Sequence, residues 1–153
     1  MAENAKRNIF IIDDDPFILD MYVLKLKEQG FAVDTANDGR TGLEKIREQK
    51  PDVVLLDVVM PAMDGFEVLQ AIKKDYPTPP PHIVFLTNFG QKEDIERGME
   101  LGAEDYIIKA HFTPSEVAEK VKSICRTFSL KTPCKAILFS RIVPNTFTVF
   151  TTI

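Results

Sequence analysis

Four strand-length apolar runs constrain the fold of this 153-residue chain more than any other feature of its sequence. They are rich in β-branched or aromatic residues and do not alternate with polar ones, which is typical of strands buried on both faces of a parallel sheet. The runs are residues 9–12, 53–56, 83–86 and 106–108. A fifth segment, residues 31–35, alternates as a half-exposed edge strand does.

Segments with helical spacing separate these runs. Apolar residues recur about one helical turn apart in residues 18–26, 68–76 and 117–128. Residues 91–101 form a weaker candidate helix, because their apolar residues are few and Gly98 interrupts them. Strands that alternate with helices, over connections too long for hairpins, predict a parallel sheet covered on both faces. The predicted fold is an open, doubly wound α/β domain with five strands.

Charge, hydropathy and cysteine content exclude several classes of protein. The net charge is -4, which argues against the basic surface of a nucleic-acid-binding domain. No run of 18 apolar residues predicts a membrane span, and the amino terminus lacks the pattern of a signal peptide. Cys125 and Cys134 are too few for a disulfide framework or a zinc site. We therefore expect a cytoplasmic protein that binds neither membranes nor nucleic acid directly.

A change in composition near residue 126 divides the chain. Residues 127–153 contain three basic residues and no acid, and all seven glycines precede them. We expect residues 1–126 to form one domain and residues 127–153 to form a C-terminal extension. Two interpretations of the extension stay open: a β-hairpin that packs on the domain or pairs with a second copy in a homodimer, or an irregular, non-native addition.

Polar side chains follow each buried run, at the edge of the sheet where ligands bind. In open α/β sheets the ligand site lies outside the carboxyl ends of the strands. The residues placed there are Asp13, Asp14 and Asp15 after the first run, Asp57 after the second, Thr87 after the third and Lys109 after the last.

Taken singly, each of these residues is more often a cap, turn or surface residue. Crowded carboxylates persist when a cation neutralises them, and oxygen ligands suit Mg²⁺. A metal ion beside a carboxylate, a hydroxyl and a lysine suits a phosphoryl group.

The same residues resemble the receiver domain of two-component response regulators, in its stand-alone, chemotaxis-regulator-like form. The resemblance covers about residues 8–126 and rests on three motifs together with Thr87. The motifs are IIDDDP at residues 11–16, LDVVMPAMDG at residues 56–65 and GAEDYIIK at residues 102–109. The resemblance implies a flavodoxin-like sheet with strand order 2-1-3-4-5, and a signalling domain rather than an enzyme.

The resemblance also implies a role for each residue at the sheet edge. Asp57 would accept a phosphoryl group from a phosphohistidine on a sensor histidine kinase or a phosphotransfer protein. Asp14, Asp57 and the backbone carbonyl of Val59 would bind Mg²⁺ directly, and Asp13 would act through metal-bound water. Lys109 would pair with a phosphoryl oxygen.

Two residues would carry the resulting switch. Thr87 would turn its hydroxyl onto the phosphoryl group, and Tyr106 would then move inward. This movement would change the face formed by the fourth helix, the fifth strand and the fifth helix, which a downstream partner protein would recognise.

The sequence departs from the family pattern at two places. Ala110 follows Lys109 where the family usually has proline, and Asn88 and Phe89 follow Thr87 where it usually has a small residue. Together with Val59, Phe89 would place bulky apolar side chains over a phosphoryl group and slow the entry of hydrolytic water.

Three other functions remain as alternatives. A phosphatase of the haloacid-dehalogenase class would place Asp-x-Asp after the first strand and carry a cap domain, neither of which this sequence has; turnover of a phosphomonoester would discriminate it. A flavin or nucleotide binder would need a glycine-rich phosphate loop, which is absent. A degenerate receiver that only docks a partner is disfavoured by the full set of site residues. The chain is either a stand-alone receiver or the receiver part of a larger regulator.

Overall fold

Five parallel strands form a single sheet in the order β2-β1-β3-β4-β5, as the resemblance predicts. The structure is a computed structural model that describes residues 6–75, 79–88 and 90–127. The strands are β1 (Asn8–Ile12), β2 (Ala32–Ala36), β3 (Val53–Leu56), β4 (His82–Thr87) and β5 (Asp105–Ile108). The predicted doubly wound α/β fold is confirmed.

Helices follow the strands and lie on both faces of the sheet. They are α1 (Pro16–Glu28), α2 (Gly39–Gln49), α3 (Gly65–Asp75), α4 (Lys92–Glu100) and α5, which covers residues 114–127. A short 3₁₀ turn, Lys109–His111, connects β5 to α5. Parallel strands need such crossover connections, because a tight turn can join only antiparallel neighbours.

The core lies on the inner strands of the sheet. All four residues of β3 are buried, and so are Ile9 to Ile12 of β1 and Ile83 to Thr87 of β4. In β2, by contrast, only Ala36 is buried, as expected for an edge strand whose outer side has no neighbour. Three of the four apolar runs therefore mark strands that have neighbours on both sides. The fourth run, residues 106–108, forms the edge strand β5, in which only Ile107 is buried, so the expectation of burial on both faces was wrong there.

Local chemistry sets where α1 begins and ends. The Asp15 carboxylate accepts hydrogen bonds from the backbone N–H groups of Phe17 and Ile18, and Pro16 occupies the first helical position. At the other end Gly30 has a φ of +97°, a left-handed conformation that glycine adopts without strain. The helix thus starts directly behind the acidic run that follows β1.

The chain divides into two compact units, Met1–Glu119 and Lys120–Ile153. In the second unit the structure describes only residues 120–127, of which Val121, Ile124 and Cys125 are buried. The predicted hairpin in the extension lies outside the described residues. Within the described ranges, no helix is both long and apolar enough to cross a membrane.

Candidate functional site

Four of the predicted site residues meet at the carboxyl edge of the sheet. Asp13 follows β1 and Asp57 follows β3, and both side chains are buried although each can carry a charge. Thr87 is the last residue of β4 and has no solvent exposure. Lys109 follows β5 directly. The parallel register brings these strand ends side by side, which concentrates polar groups at one edge.

The ammonium group of Lys109 joins the two buried acids. Its Nζ donates a hydrogen bond to Oδ2 of Asp13 and lies 3.3 Å from Oδ2 of Asp57. The Lys109 side chain is only 7% exposed, so these charges interact with little screening by water. Lys109 therefore provides the positive charge that allows two carboxylates to share a buried site.

Burial has opposite effects on the two kinds of charged group. It raises the pKa of the Asp13 carboxyl above its ordinary value, and the hydrogen bonds from Lys109 and from the Asp15 N–H offset this rise only in part. Burial also disfavours the charged form of Lys109, but the hydrogen bond to Asp13 and the charge of Asp57 outweigh it and raise the pKa of Lys109. The ammonium thus stays protonated at neutral pH.

The backbone around Asp57 is fixed on both sides. Its N–H donates to the carbonyl of Ile12 at 3.0 Å, which ties the end of β3 to β1. Downstream, the Gly65 N–H donates to the carbonyl of Val58 at 2.8 Å. A Cβ atom at Gly65 would lie 2.3 Å from the Asp57 carbonyl oxygen, so only glycine lets α3 begin this close to Asp57.

The predicted metal ligands lie close enough to share one cation. One carboxylate oxygen from each of Asp13, Asp14 and Asp57 lies within 4.8 Å of the others. Asp14 is exposed, whereas the other two are buried. An all-oxygen set with one face open to solvent fits Mg²⁺, which keeps several of its waters. Asp15, the third acid of the run, instead caps α1.

The structure describes Asn88 and Ala110, where the sequence departs from the family pattern, and also Val59. Val59 is 50% exposed beside Asp57, and its N–H lies 3.4 Å from the Asp57 carboxylate. Ala110 lies in the 3₁₀ turn that follows Lys109. Phe89 lies outside the described residues, so the predicted apolar cover of the site stays a prediction.

The predicted switch residues occupy neighbouring strands. Tyr106, on β5, packs its ring against Phe85 of β4 with the ring centroids 5.5 Å apart. Burial, and then the negative charges of Asp94 and Asp57, raise the pKa of Tyr106 to about 12. The tyrosine is therefore neutral under ordinary conditions, and its hydroxyl remains a hydrogen-bond donor.

One residue near the site was not predicted from the sequence. Tyr22 was assigned to the apolar stripe of α1, and it is indeed buried, at 3% exposure. Burial raises its pKa, and the charges of Lys109, Asp13 and Asp57 all act on it, so the ring lies near the acid cluster. A tyrosine at a core position is a signal for a nearby polar group, since a buried hydroxyl needs one.

Comparison with known proteins identifies the family. A model of the response regulator receiver domain matches residues 9–122. The chain therefore belongs to the receiver domain family of two-component response regulators, which is a family of signalling domains.

Individual relatives agree with this assignment. A probable transcriptional regulator, ycf27 of Guillardia theta, is 38% identical over 122 residues, which are 80% of this chain and 46% of that protein. The chemotaxis protein CheY4 of Vibrio cholerae has a TM-score of 0.72 at 30% identity, over 78% of this chain and 98% of that one. A CheY-like receiver domain from Methanospirillum hungatei has a TM-score of 0.75 at 28% identity, over 83% and 99%. The chain spans about half the length of the curated relatives it matches.

Proposed function

We propose that Asp57 accepts a phosphoryl group from a phosphohistidine on a sensor histidine kinase or a phosphotransfer protein. The observation that carries this proposal is the position of the Lys109 ammonium, bound to Asp13 and 3.3 Å from the Asp57 carboxylate. A cation at this distance from a carboxylate can contact an oxygen of a group transferred to it. Asp57 lies in the middle of the site, with the other acids at β1 and the lysine at β5.

In the proposed reaction a carboxylate oxygen of Asp57 attacks the phosphorus, the new O–P bond forms, and the P–N bond to the donor imidazole breaks. Asp13, Asp14, Asp57 and the Val59 carbonyl would hold Mg²⁺, which when bound neutralises charge on the phosphoryl oxygens. The Lys109 ammonium would stabilise the same negative charge. The domain is not proposed to act as an enzyme on a separate substrate. After phosphorylation, the one further reaction proposed is hydrolysis of the aspartyl phosphate on Asp57.

The response to phosphorylation is proposed to begin at Thr87 and Tyr106. A hydroxyl at the end of β4 can donate a hydrogen bond to a phosphoryl oxygen on Asp57, and the loop that follows would move with it. Tyr106 packs on Phe85, two residues before Thr87, so a change at β4 reaches the surface of α4 and β5. A downstream protein would recognise this surface together with the first turns of α5.

The remaining predictions about partners rest on the sequence. Relatives of this chain are transcriptional regulators, so the expected lack of direct nucleic-acid binding stays a prediction. The same applies to the expected cytoplasmic location and to a homodimer held by residues 127–153. Binding proteins captured by this chain with beryllium fluoride bound at Asp57 would identify the downstream partner and the cognate kinase.

Labelling with a small phosphodonor tests the proposed function. In the presence of Mg²⁺, acetyl phosphate should add one phosphoryl group to the chain, and Asp57→Asn should abolish the addition, because an amide is not a nucleophile for phosphorus. Intact-mass spectrometry measures the gain. Asp20→Asn, which removes an exposed carboxylate from α1, is the matched control and should be labelled as the unaltered chain is. Equal labelling of Asp57→Asn would place the acceptor elsewhere.

A further inference from the structure

A glycine and an arginine of helix α4 lie against two aromatic rings of the domain. Within α4, all of which the structure describes, only Gly98 is buried. A Cβ atom at this position would lie 2.8 Å from Cε2 of Phe85, so the helix backbone lies against that ring. The guanidinium carbon of the preceding residue, Arg97, lies 4.2 Å from the centroid of the Phe66 ring.

Both rings belong to segments that hold the site. Phe66 follows Gly65, the residue in contact with the Asp57 carbonyl. Phe85 lies two residues before Thr87, on the same side of β4. The two rings also contact each other edge to face, with centroids 5.4 Å apart. The position of α4 is therefore coupled through two aromatic rings to the backbone beside Asp57 and to the strand that carries Thr87.

We propose that Arg97 is a positioning residue, whose cation–π contact with Phe66 holds α4 in the arrangement seen here and thereby opposes phosphorylation of Asp57. This inference rests on the proposed function. In the present arrangement Lys109 is shared by Asp13 and Asp57. A phosphoryl group that draws the Thr87 hydroxyl toward itself would move the end of β4 and the loop that follows it, and Gly98 of α4 lies against Phe85 of the same strand. Any contact that stabilises α4 here raises the free energy of the loaded arrangement relative to the unloaded one.

The size of the effect follows from the exposure of Arg97. Its side chain is exposed, while the Phe66 ring beneath it is 3% exposed. For a cation–π contact at an exposed site, the measured range corresponds to about a two- to fivefold change in an equilibrium. A change of this size is large enough to be measured both in the dynamics of α4 and in the loading of Asp57.

The first experiment measures the amide hydrogen exchange of α4 in the absence of a phosphodonor. Arg97→Met keeps a long apolar side chain and removes the guanidinium, so amide hydrogen exchange within α4 should become about two- to fivefold faster. Lys92→Met is the matched control, because it also removes a cation from α4. The ion-pair partner of Lys92 is Glu96, which lies within α4 itself. Exchange in Arg97→Met that is no faster than in Lys92→Met would overturn the proposed contact.

The second experiment measures coupling to the acceptor. Acetyl phosphate should label Arg97→Met about two- to fivefold faster than the unsubstituted chain, and it should label Lys92→Met at the unchanged rate. Arg97→Lys keeps the cation, so its labelling rate should lie close to that of the unsubstituted chain. In a double-mutant cycle with Phe66→Leu, the effect of Arg97→Met should disappear. Equal or slower labelling of Arg97→Met, or an unchanged effect in the Phe66→Leu background, would overturn the inference. A full chain that is not labelled at all would overturn the proposed function instead, and the exchange experiment would still test the contact.

Discussion

Asp13, Asp14 and Asp15 have the same side chain and lie in three different environments. Asp13 is buried and accepts a hydrogen bond from Lys109, Asp14 is exposed beside the proposed metal site, and Asp15 accepts hydrogen bonds from the first turn of α1. The sequence predicts that acids cluster here and, through the resemblance, that the first two serve the site. It does not predict that Asp13 pairs with Lys109, since these residues are 96 positions apart.

The first prediction at this scale concerns magnesium. Asp14→Ala should abolish Mg²⁺ binding and phosphorylation, because a direct ligand is lost, whereas Asp13→Ala should weaken both less, because Asp13 is expected to act through water. Isothermal titration calorimetry measures the affinity of each variant. An unchanged affinity in Asp14→Ala would show that the assignment of ligands is wrong.

The second concerns the pH dependence of stability in the absence of metal. Burial raises the pKa of Asp13 in the folded chain, so the folded state binds a proton more readily than the unfolded state does. As pH rises through that pKa, the charged carboxylate makes a growing unfavourable contribution to folding. Asp13→Asn removes this contribution, so the free energy of unfolding of the variant should exceed that of the unsubstituted chain at pH 7. The difference in free energy should shrink toward pH 4.

Urea unfolding with a chelator present, at both pH values, measures this difference. Asp20→Asn serves as the control, since Asp20 is exposed and lies outside the acid cluster. A constant difference between Asp13→Asn and the full chain at the two pH values would contradict the linkage.

Among the elements, the inner strands were the easiest to predict and α2 the hardest. Strands β1, β3 and β4 are buried on both faces, so their apolar runs are unbroken. Helix α2 lacks a comparable signal because glycines form much of its buried side: a Cβ atom at Gly42 would lie 2.5 Å from Ile12, and one at Gly39 would lie 2.8 Å from Val68. With close backbone packing of this kind, only Leu43 and Ile46 provide large apolar side chains, which is too short a stripe to predict a helix without the alternation of strands and helices.

The cap of α1 gives a prediction at the scale of the element. Asp15→Ala removes the acceptor for two N–H groups of the first turn and should lower the free energy of unfolding by about 1 kcal/mol. Asp15→Asn keeps an acceptor oxygen and should cost much less. Chemical denaturation measures both variants. Because Asp15 is assigned to the helix and not to the metal, Mg²⁺ affinity should stay nearly unchanged in both, and a large loss would return Asp15 to the site.

For the whole molecule, the main question is what the extension adds. The receiver model matches residues 9–122, and every site residue lies within that range. A chain that ends at Phe128 should therefore fold, bind Mg²⁺ and accept a phosphoryl group as the full chain does, while any dimer held by residues 127–153 should become monomeric. Circular dichroism and light scattering measure folding and mass, and an unfolded product would show that the extension belongs to the core.

The distance in sequence between Asp13 and Lys109 has a consequence for synthesis. A nascent chain presents Asp13 and Asp57 long before the ribosome releases Lys109, and until β5 docks, the acids at β1 and β3 repel each other without the lysine between them. Strand β5, the last of the five strands in the described part of the chain, leads directly into the lysine that relieves this repulsion. Docking of β5 therefore completes the described sheet and the cluster of acids and lysine together. A chain interrupted before Lys109 should carry the acids and still be unable to hold the site together, which makes phosphorylation competence a property of the finished domain and not of its parts.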